Sequence, residues 1–196
     1  MQNDSNLAQL KAFLKEMLPL TDEQLEHWLE VSSFKTYGKG DLIIRNGEVE
    51  KFLRIIVKGV TQHYIINAKG DEVNFDFSFQ HDYCFAYGSY INQKPTQFFI
   101  QSMTDVELIA IPKAKIEALY EAYPSSNLFG RISAEHYYLW REERELALQT
   151  LTPDERYKWL FENHPRYLEE VPLKHLASFL NITPETLSRI RKRFVS

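Results

Sequence analysis

Glu185, Ser188, Arg189 and Lys192 recur at the three- and four-residue spacing that puts them on one face of a helix, while Leu187, Ile190 and Phe194 share another. A carboxylate, a hydroxyl, a guanidinium and an ammonium group presented together match the groups on double-stranded DNA. Arg189 fits the O6 and N7 acceptors of a guanine, and Glu185 can accept from a cytosine amino group. Ser188, Arg191, Lys192 and Arg193 have the donors to hold phosphates, with Lys174 and Thr183 helping to position the duplex. A plainer reading stays open beside this one: Arg191-Lys192-Arg193 would also neutralise the negative end of a helix dipole.

Such a face needs a support, and residues 173–193 supply the pattern of one. Leu173, Leu176, Ala177 and Leu180 form a buried helical stripe. Asn181 follows where a tight turn between helices needs a left-handed backbone, which Asn tolerates better than most residues. Ile182 can plug the angle. Thr183 then reads as an N-cap and Pro184 as the first helical residue of the reading helix. The expected unit is a helix-turn-helix.

Net charge is −4 over 196 residues, which looks wrong for a nucleic-acid partner. From Lys174 to Ser196, however, five basic residues face one acid, a local +4 that leaves about −8 to the remainder. With 44% hydrophobic and 14% aromatic residues, the chain can bury one large core or two small ones. A single cysteine, Cys84, excludes an intramolecular disulfide and a four-cysteine metal or iron–sulfur site, and reads as a core residue. No charged-then-apolar leader and no apolar run of about eighteen residues occur, so a cytoplasmic protein without a membrane partner is expected. His27, His63, His81, His136, His164 and His175 are scattered, and no His-x-His with a following Glu occurs. A metal-dependent β-barrel enzyme therefore has no site, and no nucleophile elbow, P-loop or zinc-protease motif is present. The expectation is no enzyme, no metal and no cofactor.

Upstream, residues 6–16 predict an amphipathic helix through Leu7, Leu10, Phe13 and Leu14; Thr21 and Gln24 make a capping box for a second, which buries Leu25, Trp28 and Leu29. From about Val31, turn residues at roughly ten-residue intervals separate short strands, the spacing of an all-β sandwich or barrel. Strands are predicted at 42–45, 52–57, 62–66, 73–80, 97–101 and 106–111. In the fourth, Val73, Phe75, Phe77 and Phe79 alternate with Asn74, Asp76, Ser78 and Gln80. Helices return at Lys113–Ala122 and about 127–151, where Ile132, Leu139 and Leu146 recur at sevenfold spacing, either as a dimer seam or as the face packed on the barrel. A capping box from Thr152 to Glu155 starts another helix and marks the best domain boundary.

A β-roll, a long helix and a C-terminal helix-turn-helix together resemble the Crp/Fnr transcription regulators over nearly the whole chain. Lys39-Gly40-Asp41, Gly47, Ile56-Val57-Lys58-Gly59-Val60 and Lys69-Gly70-Asp71-Glu72 fall in the order expected of a cyclic-nucleotide-binding domain. The resemblance implies an α+β fold: an N-terminal β-roll with flanking helices, a long connecting helix, and a small winged-helix-like domain lacking most of the wing. It implies a sensor domain over 1–151 with a dimerisation helix at about 127–151, and a DNA-binding domain over 152–196. Partners would be double-stranded DNA, a second copy of the chain and RNA polymerase, with an unknown small-molecule effector. Glu185 and Arg189 occupy the places of the family's base-reading Glu and Arg, while Pro184 replaces its preceding Arg.

The ligand cassette departs from the pattern. Where the family's cyclic-nucleotide binders carry Gly-Glu and then Arg-Ser, this chain has Phe85 and Ala86, followed by Thr96 and Gln97. Carboxylate and guanidinium are both missing, and a buried phosphate without a cation is costly. A degenerate pocket at Phe85, Ala86, Tyr87, Thr96 and Gln97 is expected, with no ordinary response to cAMP. Phe75, Phe77, Phe85, Tyr87, Phe98 and Phe99 would fill the old pocket or line an apolar one. A second class of function fits the same losses: a ligand- or protein-binding module with a vestigial DNA-reading head.

Overall fold

The structure, a computed structural model, describes residues 8, 11, 12, 14, 15 and 20–195. Its fold is α+β, a β-roll followed by a series of helices. Ala8, Lys11, Ala12, Leu14 and Lys15 are helical; Leu7, Leu10 and Phe13 of the first expected helix lie outside the described residues. Helix α1 (Asp22–Glu30) opens on the expected capping box, with Gln24 N–H donating to the Thr21 hydroxyl and the Gln24 side chain accepting from Thr21 N–H.

Strands β1 (Ser33–Tyr37), β2 (Leu42–Ile44), β3 (Phe52–Lys58), β4 (Thr61–Ile66) and β5 (Glu72–Ser78) precede a short helix α2 (Tyr87–Asn92), then β6 (Phe99–Ser102) and β7 (Val106–Pro112). One sheet has the order β1-β7-β3 and the other β2-β6-β4-β5. Helices α3 (Lys113–Ala122), α4 (Pro124–Thr150), α5 (Pro153–Asn163), α6 (Pro165–Glu170), α7 (Leu173–Phe179) and α8 (Pro184–Val195) complete the chain.

The long helix starts three residues earlier than expected, because Pro124 is compatible with a first turn whose amides need no partner. Helices α2 and α6 were not expected; each has only six residues, too few to show a helical period. The capping box of α5 forms as its sequence requires, with Pro153 in the first turn.

Two compact units result: Met1–Gln62 with Ser78–Ala134, and His63–Phe77 with Glu135–Ser196. The junction expected at residues 151 and 152 lies inside the second. In the first unit, Leu14, Leu25, Trp28, Leu53, Ile55, Ile109 and Ile116 form one core cluster, and Ile43, Ile56, Cys84, Ala86, Ile100 and Leu108 another. In the second, the alternation in β5 departs from a simple apolar-in arrangement: Asn74 and Asp76, on the polar face, are buried.

Candidate nucleic-acid interface and effector pocket

The turn between α7 and α8 is a Schellman closure. Asn181 takes a positive φ of 56°, its N–H donates to Ser178 O, and Ile182 N–H donates to Ala177 O. Thr183 then caps α8 by accepting from Thr186 N–H at 3.2 Å. Leu187 and Ile190 are fully buried, whereas Phe194 is half-exposed and lies edge-on to Tyr157.

The opposite face carries the expected readers. Glu185, Arg189, Lys192 and Arg193 are exposed, Ser188 and Arg191 are partly covered, and Lys174 and Thr183 are exposed beside them. The Glu185 carboxyl is held below the usual carboxylate range by its own backbone N–H and the Thr183 hydroxyl, so it is ionised at neutral pH. Arg193 forms an ion pair with Asp154 at the start of α5.

Residues that sequence reasoning missed hold this face in place. Arg144 of α4 donates to Phe179 O at 3.1 Å, and Arg156 of α5 donates to Leu180 O at 3.0 Å. Both guanidinium groups thus serve carbonyls at the C-terminal end of α7, which lack helical partners and sit at the negative end of the dipole. Arg156 also donates to Leu148 O and Leu151 O, tying the end of α4 to the head. From β5, Asn74 N–H donates to the Ser178 hydroxyl at 2.9 Å, and His175 Nδ1 lies 3.2 Å from Asn74 Oδ1. Asp76 accepts from Phe77 N–H and takes longer contacts from Trp140 Nε1 and Tyr167 OH, within a cluster of Trp140, Tyr167, Phe77 and Phe179 rings. Burial pushes the Asp76 carboxyl up. Burial and the neighbouring Arg141 push the His63 imidazole down to about 3, which keeps it neutral.

The aromatic residues expected at the pocket divide between different neighbours. Phe85 makes edge contacts with Tyr83, Tyr87 and Tyr90, at centroid distances of 5.9, 5.7 and 5.1 Å. Phe75 and Phe77 do not join them: Phe75 packs on His63 and Arg141, and Phe77 on Tyr167 and Phe179. Ala86 and Thr96 are buried, and Gln97 is exposed. Thr96 N–H donates to Glu48 O, and its carbonyl accepts from Gly47 N–H, both at 2.8 Å. Cys84 is wholly buried 3.5 Å from the Thr61 hydroxyl, and burial pushes its thiol up to about 12, an unreactive core cysteine.

Residues 34–123 match the family model of the cyclic nucleotide-binding domain. No curated protein matches the chain. Among solved structures, FixK2 of Bradyrhizobium japonicum superposes with a TM-score of 0.73 at 15% identity, covering 84% of this chain and 85% of that one. CLP of Xanthomonas campestris, a c-di-GMP-responsive global regulator, gives 0.71 at 15% identity, covering 89% and 92%. The catabolite activator protein of Thermus thermophilus gives 0.56 at 18%, covering 90% and 84%. These likenesses show that the chain shares the fold of those three proteins. Ala86 and Thr96, at positions where the resemblance places the charged pair of a cyclic-nucleotide site, are uncharged and buried. Among the described residues no three His, Cys, Asp or Glu side chains gather to hold a metal, and no helix is long and apolar enough to cross a membrane.

Proposed function

We propose that the protein is a homodimeric, sequence-specific DNA-binding transcription regulator of the Crp/Fnr type that does not respond to cAMP in the ordinary way. The observation that carries this reading is the α8 helix, anchored by buried Leu187 and Ile190 and presenting Glu185, Arg189 and Lys192 to solvent. Residues 1–151 would sense and dimerise, and residues 152–196 would read DNA. Ile132, Leu139 and Leu146 support dimerisation, since all three apolar side chains are exposed in the single chain. Two copies of α8 would enter successive major grooves about 34 Å apart, with RNA polymerase as a further partner.

Selection of genomic fragments by the purified protein at about 0.15 M salt, without added ligand, tests the proposal. A two-fold symmetric motif with half-sites one helical turn apart is expected. Recovery of featureless sequence would leave a binding module with a vestigial reading head.

A further inference from the structure

Glu50 precedes β3 and is fully buried, at 0% exposure. A lone carboxylate is seldom found there unless donors surround it. Its Oε1 accepts from Phe52 N–H at 3.0 Å, and its Oε2 accepts from the Arg54 guanidinium and from Ala86 N–H at 3.3 Å. Arg54 is itself buried and lies over the Phe52 ring.

The backbone of Glu50 is tied to the same neighbouring segment. Its N–H donates to the Ser89 hydroxyl at 2.9 Å, and its carbonyl accepts from the Gln93 side chain at 3.1 Å. Cys84 N–H donates to Arg54 O at 2.9 Å, and Thr96 closes the far end on Gly47 and Glu48. Every one of these bonds joins residues 47–54 to residues 84–96, the stretch that lacks its own Glu and Arg.

We infer that Glu50 is an internal ligand of this cassette. Its carboxylate occupies the Arg54 guanidinium and the Ala86 amide, holds residues 84–97 in place, and shuts out an exogenous anion. The inference rests on reading 84–97 as a cassette that has lost its charged pair; it does not require DNA binding. The chain thereby keeps a carboxylate and a guanidinium at the pocket, but both are its own and they neutralise each other.

The test is hydrogen–deuterium exchange on the full chain, comparing the parent with Glu50→Ala in the absence and presence of sodium acetate. Truncation leaves Arg54 unpaired beside a cavity the size of a small carboxylic acid. Exchange of residues 84–97 is expected to rise about tenfold or more, while the β3 and β7 amides hold. Acetate should reverse the rise where chloride at equal ionic strength does not. Should the alanine variant fail to fold, Glu50→Gln keeps the volume and removes the charge, and the same confined rise is expected. Uniform acceleration through β3 and β7, or no acetate effect on a folded Glu50→Ala, would overturn the inference. So would protection of residues 84–97 in the parent by cAMP at about 1 mM, because the pocket would then accept an outside anion. Failure of DNA selection alone would remove the regulator reading and leave the exchange result standing.

Discussion

Arg144 and Phe179 are joined twice: the guanidinium carbon lies 4.4 Å from the ring centroid, and Nη2 donates to the carbonyl of the same residue at 3.1 Å. The cation is largely desolvated, which pushes its pKa down to about 10, still charged at neutral pH. Two kinds of attraction thus fasten the long helix to the end of α7. Arg144→Met keeps the stem and removes both. A loss of about 2 kcal/mol is expected in urea unfolding, combining a charge-assisted hydrogen bond with a desolvated cation–π contact. Arg144→Lys should recover little of it, since an ammonium group cannot stack and donate in the same plane.

Asp76 makes the stability of this unit depend on pH. Burial raises its carboxyl above the ordinary range, against the donors Phe77 N–H and Trp140 Nε1 and the charges of Arg141 and Arg144. The folded protein therefore holds a proton that the unfolded chain has released, and stability falls as pH rises from the ordinary carboxylate value through the raised one. Asp76→Asn mimics the protonated group. Its stability relative to the parent should grow in denaturant titrations as pH rises from the ordinary carboxylate value through the raised one. The His63 titration is common to both proteins and cancels in the difference. A gap that stayed constant would mean the carboxyl is ionised throughout.

If α8 reads DNA as proposed, its residues separate two roles. Arg189→Ala should cost about 1–3 kcal/mol at the cognate base pair and relax preference there. Lys192→Ala should weaken specific and random DNA alike and reduce the salt slope by about one. Binding measured on both DNAs at two salt concentrations checks this. Equal losses from both variants on both DNAs would show that Arg189 holds only the backbone.

The elements with strong local rules were legible in the residues. Capping boxes at Thr21 and Thr152, the left-handed Asn181 and the α7–α8 turn all formed where sequence placed them. Each depends on neighbours within a few positions. What escaped depends on distance in the chain: Arg144 and Arg156 reach carbonyls 35 and 24 residues away, and Glu50 finds Ala86 across 36. The alternation in β5 was visible, but not that Asn74 and Asp76 on its polar side are buried, since a period of two assigns faces without saying which is covered. Aromatic character alone suggests that Phe77 fills or lines the pocket; its ring packs on Tyr167 and Phe179.

The stripe on α4 carries the last prediction. Leu139 and Leu146 are 57% and 55% exposed, with Ile132 at 39%, while on another side of the helix Ala147 is buried and Trp140 and Arg144 are partly covered. Ile132, Leu139 and Leu146 drift only about 20° per heptad, so they form one narrow apolar band suited to a parallel partner. Covering a leucine gains about 1.5–3 kcal/mol, and a two-fold seam gains it in pairs. Leu139→Arg would set one guanidinium against its symmetry mate at the centre of the band. Sedimentation should then report a monomer with an intact fold, and affinity for a two-fold DNA site should fall at least about a hundredfold, through loss of the second half-site. If Leu139→Arg remained a dimer, the seam would lie elsewhere and the α4 assignment would fail. Unchanged DNA affinity in a proven monomer would mean instead that one reading head suffices.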